Sequence, residues 1–308
     1  MEQVIIDTDP GVDDAHALMM AFAHPGIQIE ALTTVAGNVS LAQTTANACT
    51  ILDVLGQNVP LYAGCDRPLV SRNEHAVHVH GRDGLGDAGF PPSTRKAERE
   101  HAAQALVRLA GESPGEINLV AIGPLTNLAV ALMLDPKLPS KFKRLIVMGG
   151  AIYAHGNVAN LTAEFNIYTD PEAAHIVFNA WPSFMLVSWE TTLAHGFPLS
   201  LVQEWMDWDT PYARFYKAIS GKTLRYNTEI MGRDSFFGPD ALAVACLLDP
   251  TIVQESVEHH VAVELTGVHT RGQTIVDWED QRREIANAQI VLKVNQDRFN
   301  DLLALALR

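Results

Sequence analysis

Short, continuously apolar runs alternate with longer segments of helical periodicity, and this alternation limits the possible folds more than any other feature of the chain. Val4–Ile6 precedes Asp13–Ala23, and Ile29–Val35 precedes Leu41–Leu55. The order returns as Ile117–Ile122 with Leu128–Leu134, Leu145–Met148 with Pro171–Phe178, and then Phe184–Val187. Strands that are apolar at every position are buried on both faces, the condition of a parallel sheet covered by helices on both sides. The expected class is α/β, with an open, doubly wound, mostly parallel, Rossmann-like sheet. From Leu199 to Leu248 the pattern turns mostly helical; Val261–Leu265, Thr274–Asp277 and Ile290–Val294 then read as short strands before an amphipathic helix at Arg298–Leu307. We expect these to be helical and small β additions to one domain, residues 1–308, because no Pro- or Ser-rich linker and no internal repeat divides the chain.

Acidic residues outnumber basic ones 36 to 22, a formal charge of −14. Nucleic acid and anionic membrane both require a basic surface, so neither is expected as a partner. No apolar run approaches the ~20 residues of a membrane span, and the N-terminus enters a strand with no basic leader. Cys49, Cys65 and Cys246 show no metal-ligand spacing and suit a reducing compartment, so a cytoplasmic location is expected. Asp66–Ala97 and Ser220–Gly238 look like long loops, which are uncommon unless functional.

The chemistry concentrates in Ile5-Ile6-Asp7-Thr8-Asp9-Pro10-Gly11-Val12-Asp13-Asp14, where four carboxylates follow the first strand. Ligands of open parallel sheets bind outside the carboxyl ends of the strands, where this loop lies. Converging carboxylates need solvent or a cation, and with no His or Cys close by the hard ions Ca²⁺ and Mg²⁺ are favoured over zinc. The plainer reading is that Asp13 and Asp14 cap and charge a helix start. An EF-hand is excluded, since Val12 and Leu18 stand where its Gly and final acid belong when counting from Asp7.

The segment Asp7–Ala15 resembles the signature of the inosine–uridine-preferring nucleoside hydrolases. Further matching segments are Thr33–Asn38, His78-Val79-His80-Gly81, Gly123–Asn127, Val147–Gly150, Ala163–Ile167, Asp170–Ala174 and Pro239–Ala243. Singly weak, these segments in order are specific and span nearly the whole chain. The resemblance implies the nucleoside hydrolase fold and calcium-dependent hydrolysis of ribonucleosides to ribose and free base, serving purine or pyrimidine salvage. It implies a homodimer or homotetramer. Its calcium ligands would be Asp9, Asp14, the Thr126 carbonyl and Asp240, with Asp9 also accepting the proton of water. Asp13, Asn38, Asn157, Glu164 and Asn166 would contact ribose, with Met148 beside the sugar; taken alone, Asn38 and Asn157 read as turn residues and Met148 as core.

The sequence departs from the family pattern where a His is expected before Asp240: here the residue is Pro239, which has no proton to give a departing base. Leaving-group assistance would then fall to His80 first, with Tyr226, Arg225 and Arg233 as further candidates in the two long loops. Asn157 and Asn160 compete for one role, because their segment is one residue longer than the pattern. Trp189-Glu190-Thr191-Thr192 also departs and suggests no role. Phe236, Phe237, Trp205 and Trp208 either pack or stack on a base, with packing favoured for the tryptophans. Two alternatives stand: a haloacid-dehalogenase-like phosphatase with Asp7 as nucleophile, and a nucleoside- or ribose-binding protein without turnover.

Overall fold

The computed structural model describes residues 1–308. Six parallel strands, β1 (Glu2–Thr8), β2 (Ile27–Thr34), β3 (Leu61–Ala63), β4 (Ile117–Ala121), β5 (Arg144–Met148) and β6 (Phe184–Val187), lie in the order β3-β2-β1-β4-β5-β6. Ala288–Val294 continues the sheet parallel to β6, and Val253–His259 closes that edge antiparallel. The sheet is doubly wound from β1, as the alternating pattern predicts. The antiparallel edge and the three-residue β3 are absent from the sequence reading, being too short or too polar for a continuous apolar run to mark.

Alternate residues of each central strand enter different cores, as the period-two geometry of a strand demands. Val4, Ile6, Val120, Ile146 and Met148 belong to a core of 47 buried residues with helices α1 (Val12–Ala23), α2 (Leu41–Val54), Pro239–Leu248 and Gln296–Ala306. Ile5, Leu119, Ala121, Leu145 and Val147 face a second core of 33, shared with helices Ala102–Glu112, Thr126–Leu134 and Pro171–Ala180. Pro239–Leu248 is buried at all ten positions, which explains its lack of a polar face.

Of the two expected loops, Asp66–Ala97 is irregular apart from one helical turn at Val77–His80. Ser220–Gly238 is not a loop throughout. Helix Pro211–Arg225 runs through its first residues and passes into a π-turn, Tyr226–Ile230, beyond which Gly232 has a φ of 61°. That region lacks apolar periodicity because it covers a cavity instead of a core. No helix is long and apolar enough to cross a membrane.

Candidate active site

The carboxyl ends of five parallel strands open on one cavity of about 510 Å³, the edge where such sheets bind ligands. β1 leads to Asp13, β2 to Asn38, β4 to Ile122, β5 ends at Met148, and β6 leads to Trp189. Asp240 arrives from elsewhere, on the first turn of the buried helix that Pro239 opens.

Carboxylate oxygens of Asp13, Asp14 and Asp240 lie within 4.8 Å of one another. Asp14 also serves the local fold, since its carboxylate accepts the Thr8 hydroxyl, the amides of Asp9 (3.1 Å) and Gly11 (2.9 Å), and Asn38 Nδ2 (3.1 Å). Asp14 thus both caps the helix start and joins the converging carboxylates. Asp9 accepts the Asn38 amide at Oδ2 (2.7 Å), while its buried Oδ1 has no partner. Glycines crowd both oxygens: a Cβ at Gly37 would stand 2.1 Å from Oδ2, and one at Gly123 2.7 Å from Oδ1. Burial, then neighbouring carboxylates, holds Asp9 and Asp240 well above the usual carboxylate range. Burial also pushes Asp13 and Asp14 up to about 6. An orphaned oxygen beside three converging carboxylates is a donor set short of positive charge, and oxygen donors alone fit a hard divalent cation.

Thr126 does not face this cavity. It begins helix Thr126–Leu134, whose first turn engages its carbonyl, and its hydroxyl donates to Asp170 (2.7 Å). The backbone that reaches the cavity from this segment is Ile122, directly after β4 and beside the Gly123 that packs on Asp9 Oδ1. The expected Thr126 ligand thus lies away from the cavity, and Ile122 is the residue of this segment that lines it.

The expected sugar contacts assemble as a group. Asn38, Asn157, Glu164, Asn166 and Met148 all line the cavity. Glu164 caps the short helix Phe165–Thr169 through the amides of Asn166 (3.0 Å) and Ile167 (3.2 Å) and also accepts Gly150 N–H (3.0 Å); burial pushes it up to about 7. Asn166 Nδ2 is spent on the carbonyls of Ile122 (3.0 Å) and Met148 (3.3 Å). Asn160 lies outside the cavity, accepting the amides of Thr162 and Ala163 and donating to the Arg271 carbonyl. Of that pair, Asn157 is the one that lines the cavity.

His80 is buried at the cavity wall, where its Nδ1 accepts the Val12 amide (3.2 Å) and lies 3.6 Å from Asp13. That bond places the ring proton on Nε2. Burial pushes its pKa down to about 4. The ring is thus held against Val12 and Asp13, and Nε2 is the nitrogen left to donate.

Tyr226, edge-on to His78 with centroids 5.4 Å apart, and Arg233 line the far wall with Phe236 and Phe237; Arg225 does not reach it. Trp205 is core, as expected. Trp189, which the sequence reading left without a role, lines the cavity, and its position directly beyond an apolar strand was the available signal. Glu190 pins the adjoining turn by accepting the amides of Ile152 (2.9 Å), Tyr153 (2.8 Å) and His155 (3.2 Å). Asp7 is fully buried within β1, where its Oδ1 accepts from Thr33 and from Asn127 Nδ2 (2.8 Å), and it is not among the converging carboxylates.

A doubly wound sheet with converging carboxylates and a large cavity of mixed polar and apolar lining at its carboxyl edge is the arrangement of an α/β enzyme acting on a small, partly polar substrate. The chain belongs to the inosine–uridine preferring nucleoside hydrolase family, whose model matches residues 4–301, and it is a ribonucleoside N-glycosyl hydrolase. It is 37% identical to the inosine–uridine preferring nucleoside hydrolase of Crithidia fasciculata over 99% of this chain and 97% of that protein. It is 33% identical to an Escherichia coli pyrimidine-specific ribonucleoside hydrolase over 99% and 97%. A solved plant nucleoside hydrolase superposes with a TM-score of 0.93 at 32% identity, covering 99% of this chain and 98% of that one.

Proposed function

We propose that the protein hydrolyses ribonucleosides to ribose and free base for salvage, with Ca²⁺ held by Asp9, Asp14, Asp240 and the Ile122 carbonyl. The observation that carries this reading is the buried, unpartnered Asp9 Oδ1 beside the converging carboxylates. Calcium, when bound, neutralises these carboxylates, lowers the pKa of a water and aligns the ribose diol. Asp9 accepts the proton of the attacking water at Oδ1, the one oxygen of its carboxylate that no protein donor occupies. Asp13 accepts from a ribose hydroxyl, and the anionic wall tolerates the oxocarbenium character that develops at C1′. The Asn38 and Asn166 amide groups are already donating, to Asp9 and Asp14 and to Ile122 and Met148, so their Oδ1 atoms are the ones free to accept sugar hydroxyls. Asn157 and Glu164 complete the polar contacts, Met148 packs on the sugar, and His80 donates from Nε2. Tyr226 and Arg233 meet the base. Assembly as a homodimer or homotetramer belongs to the same reading and is checked by light scattering.

The test is Asp9→Asn. An amide still packs between Gly37 and Gly123 but accepts no proton, so kcat should fall ~10²–10⁴-fold with a much smaller change in KM. An unchanged kcat would move the base to another residue. A wild type that releases no ribose from any nucleoside would overturn the reading.

A further inference from the structure

The base end of the cavity holds a cation that nothing in the chain neutralises. The Arg233 guanidinium lies 5.5 Å from the centroid of Trp189 and 5.3 Å from that of Phe237, two tilted rings 6.3 Å apart. It forms no ion pair, and its one protein acceptor is Asn227 Oδ1, 3.3 Å from Nη1. A guanidinium has five N–H donors in a rigid fork, so the rest are unspent. Trp189 Nε1–H, buried beside it, also has no acceptor. Half-buried charge and buried donors are costly without partners, and both residues line the cavity.

We propose that Arg233, seated against the paired rings of Trp189 and Phe237, recognises the O6/N7 edge of a 6-oxopurine and stabilises that base as it leaves. The inference rests on the N-glycosidic hydrolysis proposed above and supplies what Pro239 cannot. As the C1′–N9 bond breaks, its electron pair passes to N9 and spreads over the purine toward O6 and N7. The permanently charged fork donates two hydrogen bonds to that edge and transfers no proton. Water supplies hydroxide to C1′ and a proton to Asp9, and solvent returns a proton to the released base. Adenine presents an amino donor where the fork needs an acceptor, and uracil offers a single oxygen in place of an adjacent pair. Inosine and guanosine are therefore the preferred substrates.

The experiment compares wild type with Arg233→Met, Arg233→Lys, Trp189→Phe and Trp189→Leu on inosine, guanosine, adenosine, uridine and p-nitrophenyl riboside, and titrates each protein calorimetrically with hypoxanthine. The wild type should favour inosine and guanosine at least ~10-fold. Arg233→Met should lower kcat/KM for inosine ~10–10²-fold, the worth of a bidentate pair. It should weaken hypoxanthine binding and cost p-nitrophenyl riboside, whose leaving group needs no help, at most about 3-fold. Arg233→Lys should fall between, and Trp189→Phe should be milder than Trp189→Leu. Equal losses on inosine and p-nitrophenyl riboside, unchanged hypoxanthine binding, or a wild-type preference for adenosine or uridine would overturn the inference while leaving the hydrolase reading intact. Failure of the wild type on every substrate would overturn both.

Discussion

Replacing Asp170 with Ala removes one buried carboxylate that ties three segments together. Its Oδ1 caps helix Pro171–Ala180 through the Ala173 amide (3.1 Å), and its Oδ2 accepts the Leu69 amide (2.9 Å) and the Thr126 hydroxyl (2.7 Å). This is the physical role of the Asp170–Ala174 motif, which touches no part of the cavity. The residue is fully buried, so water does not replace the lost acceptor. Loss of the cap costs ~1 kcal/mol, and each buried donor left unpaired adds ~1–3 kcal/mol. Burial pushes the carboxyl's pKa up, so removing it recovers part of that cost. The net loss should be ~2–4 kcal/mol, which at ~2–4 °C per kcal/mol for a large domain lowers Tm by roughly 4–16 °C. Leu69 also anchors the start of the segment that carries His75, His78 and His80, so KM for nucleoside should rise more than kcat falls. Thermal unfolding by circular dichroism and steady-state kinetics read both effects. Asp170→Asn retains one acceptor oxygen and should lose about half as much. A Tm drop below about 1 °C for the Ala variant would refute the hydrogen-bond account. An Asn variant as damaged as the Ala variant would show that charge matters instead of acceptors.

Gly37→Ala should abolish most turnover in a folded protein, because the added methyl would stand 2.1 Å from Asp9 Oδ2 and force that carboxylate to rotate; full activity would show that the Asp9 position is not critical. His80→Gln should slow inosine and p-nitrophenyl riboside alike, since a neutral ring that accepts the Val12 amide positions the site and does not protonate the base. With its pKa pushed down to about 4, His80 takes up a proton only as pH falls toward that value, so the wild-type kcat/KM profile should show no His80 limb between about pH 5 and 8. Asp240→Ala should eliminate the rise in Tm that calcium confers on chelator-treated wild type, and a shift of undiminished size would remove Asp240 from the ligand set.

The local sequence by itself determined the layered fold, because strands buried on both faces leave an unbroken apolar signature and helices leave a 3.6-residue one. It also exposed the acidic turn after β1, since four carboxylates crowded at a strand end exceed what capping and anchoring of the turn require. What it left open depended on directions and distances. Whether Thr126 or Ile122 turns a carbonyl to the cavity is decided by where a helix begins, and whether Asn157 or Asn160 enters it is decided by a turn that consumes one side chain. The burial that pushes the His80 pKa down is a property of surrounding atoms far away in the chain. The cluster of Trp189, Arg233 and Phe237 joins residues that no local pattern links. Only the convergence of a β6 strand end with the π-turn region brings two rings and a cation together, because an aromatic residue has the same local signature whether it fills a core or lines a site.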